Sequence, residues 1–448
     1  MTRPSRASAP RRGPGGARPD GVVVVGAGAA GLMAAVTAAS EGCPVTVVER
    51  NRAVGRKLLI TGKGRCNVTN DLPVEGLVEG IVRNGRFMYP SLSGFGSGDI
   101  MRFFEDRGLP LERERGGRVF PASSSAADVA AVFVREMGRL GVRLIRGFRA
   151  ASVRTEDAPG GAAGGRRRAV GIIGSDGAEI GSKAVVLATG GVTYPATGST
   201  GDGHAMARAL GHKVTELRPS LVPMESPDDW PPKLTGLTLK NVTLTMVDGS
   251  GRPAYKGMGE LLFTHFGLSG PLVLSASCHM VGRGYAGAKA VIDLKPALDM
   301  GTLDARIVRD FRARPNAGLA NALGGLLPSA LVPIAIALSG LDPAMKANGV
   351  TRGERARIAG TLKGLTVNVS GPRPIDEAIV TSGGVDVREV DPSTMGSKVI
   401  DGLYIAGELL DVDAYTGGYN LTVAFSSGHS AGLAAARKAM GGSGVGGA

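Results

Sequence analysis

Aromatic residues are scarce in this chain: they make up 4% of it and include a single tryptophan. That composition is a poor match to an all-β sandwich, whose strands draw heavily on aromatic and β-branched side chains. Cysteine is rarer still. Cys43, Cys66 and Cys278 are odd in number and irregularly spaced, which excludes a disulfide framework and fits a reducing compartment. No uninterrupted apolar run reaches the length of a membrane span. The nearest imitation is "RR" followed by "GVVVVGAGAAGLMAAVTAA", which has the outline of a secretory signal. A glycine-rich interruption breaks that run, and Glu41 is followed by a second strand pattern rather than a cleavage site. The expected location is therefore the cytoplasm.

Glycine is abundant instead, at 71 of 448 residues, beside 43% hydrophobic residues. This suits an α/β fold with tight βα turns and a chain long enough for more than one unit. The net charge is +13, which favours anionic ligands and polyanionic partners. Residues 1–20 carry five Arg against one Asp and are rich in Pro, Gly and Ser. They read as a disordered basic tail, and 441–448 as a short flexible one.

The segment "GVVVVGAGAAGLMAAVTAASEGCPVTVVER" predicts a strand over Val22–Val25, a glycine turn, a helix from Ala29 to Ser40 and a strand over Val45–Val48. Its glycines are spaced G-x-G-x-x-G. Gly26 makes the tight turn, Gly28 lets a pyrophosphate approach the backbone, and Gly31 lets helix and strand pack closely. Glu49, eighteen residues after Gly31, stands where a carboxylate takes ribose hydroxyls. Strand, turn, helix, strand and terminal acid together mark a dinucleotide site.

Two later segments point to flavin. "KAVVLATGG" is a buried-strand run, and "DGLYIAGELLDVDAYTGGYNLTVAFSSGHSAG" gives a strand, a loop and a helix opening at Tyr419 or Asn420. Both resemble the two-dinucleotide-motif flavoproteins, which implies FAD, with Glu408 on the ribityl chain and the Gly417-Gly418 turn aiming a helix N-terminus at the flavin. A helix N-terminus stabilises negative charge there by about 0.3 to 2 kcal/mol. Read instead as a calcium loop from Asp411, the stretch fails: Thr416 and Thr422 stand where Gly and Glu are needed. No metal site is expected. Asp411 and Asp413 are either carboxylates fixing the turn or plain turn residues.

"GRKLLITGKGRCNVTN", "GRVFPASSSAADV", "ATGGVTYPATGSTGDGHAMARALGH", "GELLFTHFGLSGP", "AIVTSGGVDVREVDPSTMGSK" and "GLYIAGELLDVDAYTGGYNLTVAFSSG" resemble, in order, the signature blocks of bacterial FAD-dependent flavoproteins labelled aminoacetone-oxidase-like or bile-acid-reductase-like, a group that includes a ribosomal RNA dihydrouridine synthase. The resemblance implies an α/β fold: a Rossmann-like FAD domain from both chain ends, over 21–195 and 368–440, and an insertion over 196–367. The insertion would be β-barrel-like over 196–300, with a hairpin turn at Asp248-Gly249, and helical over 301–367. The implied cofactor-binding residues are Gly26, Gly28, Ala29, Ala30, Gly31, Glu49 and Arg50, then Arg56, Lys57, Thr61, Gly62, Arg65, Cys66 and Asn67. Ala188, Thr189 and Gly190 follow, and finally Gly407, Glu408, Asp413, Gly417, Gly418, Tyr419, Asn420 and Leu421. The first loop is not an NTPase P-loop: six residues rather than four separate Gly55 from Gly62-Lys63, and Gly64 stands where Ser or Thr would hold magnesium.

The implied chemistry is NAD(P)H-driven reduction of a conjugated C=C bond, with hydride and proton delivered separately. The substrate is uridine in ribosomal RNA or a small steroid-like enone; a non-catalytic FAD-containing RNA-binding or assembly factor is the alternative of a different class. Candidate proton donors are Cys66, whose thiol the neighbouring Arg65 would acidify, His265 and Tyr415. Tyr194 is a further candidate, or a wall of the flavin site. Between 282 and 365, twelve Lys or Arg face six Asp or Glu, a basic surface that suits RNA phosphates but brings few aromatics for base stacking.

Overall fold

The computed structural model describes residues 21–157 and 167–441, so the expected tail over 1–20, and all of the expected tail over 441–448 except Gly441, lie outside the described residues. Two compact units result. The first takes the chain up to Arg218 and again from Ile379; the second is Pro219–Ala378.

The first unit is built on the valine runs. Val22–Val25 is buried at every position, as expected of a strand covered on both faces. It lies at the centre of a five-stranded parallel sheet in the order Leu403–Ile405, Ala184–Leu187, Val22–Val25, Val45–Glu49, Arg143–Arg146. Registers such as Val24 opposite Val186 and Val47 leave no slip. A second sheet pairs Ala150–Asp157 and Glu179–Gly181 antiparallel to Arg167–Gly174, with Ile400–Asp401 added in parallel. The doubly covered sheet is the Rossmann-like α/β arrangement, and its strand from near the C-terminus makes both chain ends one domain.

The helices Ala29–Ser40 and Tyr419–Ala439 pack on each other through small residues. A Cβ on Gly428 would run into the Ala30 backbone and one on Gly432 into the Ala34 backbone. Two glycines four apart thus let the helices approach almost to backbone contact.

The second unit has its own apolar core, including Phe263, Leu244, Ile292, Ile307 and Leu362. Its strands are all antiparallel, in the order Leu365–Asn368, Lys289–Asp293, Thr238–Val247, Pro253–Thr264, Gly267–Ser269, Met224–Glu225, Gly371–Pro372. Asp248 makes the expected turn, its carboxylate accepting from Ser250 N and Arg252 N at 3.0 and 3.1 Å. The helices include Met300–Ala313, Leu319–Leu323, Val332–Leu338 and Arg352–Lys363.

Two expectations need correction. The sheet is an open path rather than a barrel: no pairing joins its end strands among the described residues, and the end-strand residue Asn368 gives its N–H to the Asp228 carboxylate at 2.8 Å. The second unit also starts and ends later than 196–367. Asp202 pairs with Arg149 at 2.9 Å, and a Cβ on Gly203 would meet Thr189 and Leu409, so the helix Asp202–Ala209 belongs to the first unit. Strand Gly371–Pro372 pairs with Met224–Glu225, which keeps residues after 367 in the second, up to Ala378. Among the described residues no helix is long and apolar enough to cross a membrane.

Gly432→Leu is expected to lower the unfolding free energy by about 3 kcal/mol or more through overpacking. Gly138→Ala, on the exposed face of helix Ala126–Arg139 where a Cβ would meet nothing, should raise it by about 0.5 to 1 kcal/mol. Urea denaturation of both variants checks the pair.

Candidate functional site

The glycine turn comes first. Gly26 has φ +101°, and its N–H donates to Val48 O at 2.9 Å; a side chain there would meet Ala188 O. Gly28 precedes helix Ala29–Ser40 without a side-chain cap, and a Cβ on it would meet nothing within 4 Å. Open space thus faces a helix N-terminus with free N–H groups, the arrangement that receives phosphate. Ala29 and Ala30 form the helix start. Gly31 is jammed against Gly26 O.

Glu49 ends the second strand, buried, with Oε2 accepting from Ala27 N at 2.8 Å and Oε1 from Asn51 N and Nδ2 at 2.8 and 2.7 Å. These contacts fix the turn and leave roughly one of a carboxylate's four acceptor positions free. Arg50 extends to Thr200 and, at 3.2 Å, to Asp202. Asn51 also donates to Thr197 O at 3.0 Å.

In the following loop, Gly62, Lys63 and Cys66 all have positive φ near 58°, strain of the kind that collects at functional sites. Lys57 turns inward and Arg56 outward, to Asn51 Oδ1 at 3.1 Å. Lys57 Nζ lies 2.7 Å from Glu408 Oε2 and donates to Thr193 Oγ1 at 2.7 Å. Glu408 Oε1 also accepts from Thr381 N at 2.8 Å. Four segments far apart in sequence meet on this carboxylate, next to Gly191, where a Cβ would press on Glu408 and Thr381.

The rest of the loop is stitched to a hairpin. Thr61 Oγ1 donates to Leu58 O at 2.7 Å, and Asn67 Oδ1 accepts from Val119 N at 3.1 Å. Arg65 pairs with Glu114 and stacks 4.2 Å over the Phe120 ring. This corrects the expected acidified thiol: Arg65 is spent elsewhere, and Cys66 is fully buried with its thiol pushed up to about 12 by burial. None of Cys43, Cys66 and Cys278 forms a disulfide, and all three are buried.

The C-terminal segment is equally fixed. Gly407 N donates to Ser427 Oγ at 3.0 Å. Arg83 forms an ion pair with Asp411, and Asp413 accepts from Ser382 Oγ at 2.8 Å. Asn420 closes the turn onto the helix, accepting from Ala414 N at 3.1 Å and donating to Ala414 O and Tyr415 O. Gly418, at φ +101°, precedes helix Tyr419–Ala439, which has no side-chain cap and no acid in its first turn. Asn70 Nδ2 donates to Gly417 O at 3.0 Å. Tyr419 packs over Gly80, whose carbonyl accepts from Tyr415 N at 3.0 Å. Tyr415 and Leu421 are half-buried.

Sequence reasoning missed Asn51, Thr193, Asp202, His204 and Thr381. The "TGDGH" within the third quoted block was the available signal for Asp202 and His204. His204 is fully buried with both ring nitrogens unpartnered, and burial holds it down to about 4, so it is neutral near neutral pH. Thr189 Oγ1, in the "ATGG" strand end beside Ala188 and Gly190, is a second buried polar atom without a partner. Open space at Gly28, an uncapped helix start, Glu49 and the orphaned Thr189 hydroxyl fit a dinucleotide cofactor. His265 is not among these residues: it is exposed in the second unit, edge-on to Phe266.

Comparison with known proteins follows the same lines. The family model described as "HI0933-like protein Rossmann domain" matches residues 20–434. The 3-dehydro-bile acid delta(4,6)-reductase of Clostridium scindens is 31% identical over 93% of this chain and 98% of its own length. The ribosomal RNA dihydrouridine synthase of Escherichia coli is 30% identical over 90% and 95%. Among solved structures, a 3-ketosteroid delta1-dehydrogenase from Sterolibacterium denitrificans matches with a TM-score of 0.50 at 15% identity, over 93% of this chain and 99% of that one; the likeness is one of fold.

Removing one partner of a largely enclosed ion pair leaves the other charge uncompensated. Lys57→Met is therefore expected to destabilise the protein by about 1 to 3 kcal/mol, and Lys57→Met/Glu408→Gln by less than the single change, as thermal unfolding of both would read. For His204 the unfolded chain binds the proton more readily than the folded one. Stability should therefore be complete above pH 6.5 and fall as pH drops toward 4, by up to about 3 kcal/mol. Urea midpoints against pH should show a shallower fall in His204→Phe.

Proposed function

Because the chain belongs to the HI0933-like family of Rossmann-domain proteins, we propose that this FAD-dependent oxidoreductase takes electrons from NADPH or NADH and hydrogenates a C=C bond conjugated to a carbonyl, with uridine in ribosomal RNA as substrate. Two relatives support the reaction class. A 3-dehydro-bile acid delta(4,6)-reductase and a dihydrouridine synthase act on chemically unlike molecules, yet both names describe adding hydrogen across such a bond. Their substrates share an electron-poor β-carbon, which takes hydride, and an α-carbon, which takes a proton. The cytoplasm supplies both the nicotinamide and the RNA.

The observation that carries the reading is the uncapped start of helix Tyr419–Ala439, held rigid by Asn70 and Asn420 and free of acids in its first turn. Such an end stabilises developing negative charge. FAD, when bound, supplies the hydride transfer from nicotinamide to substrate. Glu408, oriented by Lys57, Thr193 and Thr381, is the group that would hold the ribityl hydroxyls, and Glu49 those of the adenosine ribose.

Protonation then needs an acid. The buried Cys66 thiol is too weak a donor for this, since burial holds its proton up to about 12. We assign the proton to Tyr415, half-buried two residues before the Gly417-Gly418 turn. The bile-acid-like reading, a small enone in place of RNA, draws on the 31% identity to the Clostridium scindens reductase.

Under anaerobic conditions NADPH or NADH should bleach the bound flavin, and ribosomal RNA or an enone should restore its colour. Tyr415→Phe is expected to leave the bleaching rate unchanged and slow recolouring by about 10²-fold. Failure of every nicotinamide to bleach the flavin would sink the reductase reading in favour of a non-catalytic FAD protein. Identical dihydrouridine content in ribosomal RNA from cells with and without the protein would turn the assignment to small enones.

A further inference from the structure

The positive charge of the second unit is not spread evenly. Much of it is consumed internally: Arg283 pairs with Asp248 at 2.8 Å, Arg306 with Asp310 at 2.8 Å, Arg355 with Asp304 at 3.1 Å and Lys363 with Asp293 at 2.6 Å. Of the rest, Lys240, Lys256 and Lys289 are exposed on the sheet strands, and a second group lies at one edge of the helices.

Helices Met300–Ala313 and Arg352–Lys363 run antiparallel. Lys363 donates to the Leu298 carbonyl just ahead of the first helix, and Arg355 reaches Asp304 within it. The start of the second helix therefore lies beside the end of the first. The flanking segments are zipped together, with Asn348 N donating to Pro315 O and Ala347 N to Ala317 O, both at 3.0 Å. This brings Arg312, Arg314, Lys346 and Arg352 to one edge. All four are exposed, and among the described residues none has an ion-pair partner. Arg309, on the same helix face as Arg312, is 70% exposed and 3.9 Å from an Asp310 that Arg306 already holds.

The acids nearby are Asp342, which accepts from Ala344 N, and Glu354, which caps its helix through Thr351 and lies 3.8 Å from Arg357. Arg352 occupies the first turn of its helix, where the dipole repels a cation, so helix stability does not explain its charge.

We propose that this edge docks the sugar-phosphate backbone of RNA, an inference that rests on the uridine reading above and names how that substrate is gripped. Exposed cations whose neighbouring acids are already engaged, Asp342 by Ala344 N and Glu354 by Thr351 N, suit the phosphates of a polyanion. The lone aromatic side chain in these segments, Phe311, is buried, so the edge positions phosphates rather than reading bases. None of the exposed large apolar side chains among the described residues falls within 309–317 or 342–352, which sets RNA apart from a lipid surface as the fitting partner.

The test uses the full-length, FAD-loaded protein and the variant R312Q/R314Q/K346Q/R352Q, with labelled deproteinised ribosomal RNA and, separately, phosphatidylglycerol vesicles. The variant is expected to bind RNA at least about tenfold more weakly, and its slope of log affinity against log salt should be shallower by about 3. Flavin bleaching by nicotinamide and the unfolding midpoint should match the parent. Equal RNA affinity and salt slope in parent and variant would overturn the docking surface, as would tighter binding to the vesicles than to RNA. The two readings fail separately. RNA binding that needs the four cations without any gain of dihydrouridine removes the uridine substrate and keeps the surface. Equal uridine reduction by parent and variant at limiting RNA removes the surface and keeps the substrate.

Discussion

The first unit depends on a single carboxylate. Glu408 receives the Lys57 ammonium, the Thr381 N–H and a long contact from Thr193 Oγ1 at 3.3 Å, and so binds together parts of the chain up to 351 positions apart. The ion pair keeps about a fifth of each side chain exposed, so its Coulomb energy is modest beside its geometric effect. Closing loops of that length costs entropy that grows only slowly with length. A few short, charge-assisted bonds are enough to hold them closed. Were Glu408 free to rotate, the end of the Leu403–Ile405 strand, the "ATGG" turn and the first loop would lose their common anchor.

A second constraint acts through absence of side chains. Helix Ala29–Ser40 is pressed from one side by Gly428 and Gly432 and touches Gly407, where a Cβ would meet Ala30 Cβ. The same helix starts at the open space before Gly28. Its position is thus set by backbone contacts that tolerate almost no displacement, which is what a phosphate cradle needs: N–H groups held in place before the ligand arrives.

Local patterns were legible in the sequence and long-range ones were not. The valine runs, the G-x-G-x-x-G turn and the helix opening at Tyr419 depend on neighbours within a few residues, and the structure has each where the pattern put it. The acidity of Cys66 was misread because adjacency in sequence says nothing of where a long side chain goes. Arg65 turns to Glu114, 49 positions away, and the thiol is left fully buried. The edges of the second unit were misplaced for the same reason, since helix Asp202–Ala209 is held by Arg50 and Arg149 from far upstream. For His204 the "TGDGH" stretch marked the position but not its environment: its burial without partners follows only from how that helix docks.

Charge shows most plainly why composition underdetermines function. An excess of +13 is compatible with a uniformly solvated surface, and in the second unit the ion pairs of Arg283, Arg306, Arg355 and Lys363 neutralise a large share locally. A polyanion responds to the potential of unneutralised charges within about a Debye length, roughly 8 Å at physiological salt, not to the sum over the chain. What matters is therefore the antiparallel docking of two helices, because that alone sets the start of one, with Arg352, beside the end of the other, with Arg312 and Arg314. A chain with the same composition but parallel helices would place those cations at opposite ends and present no concentrated positive edge.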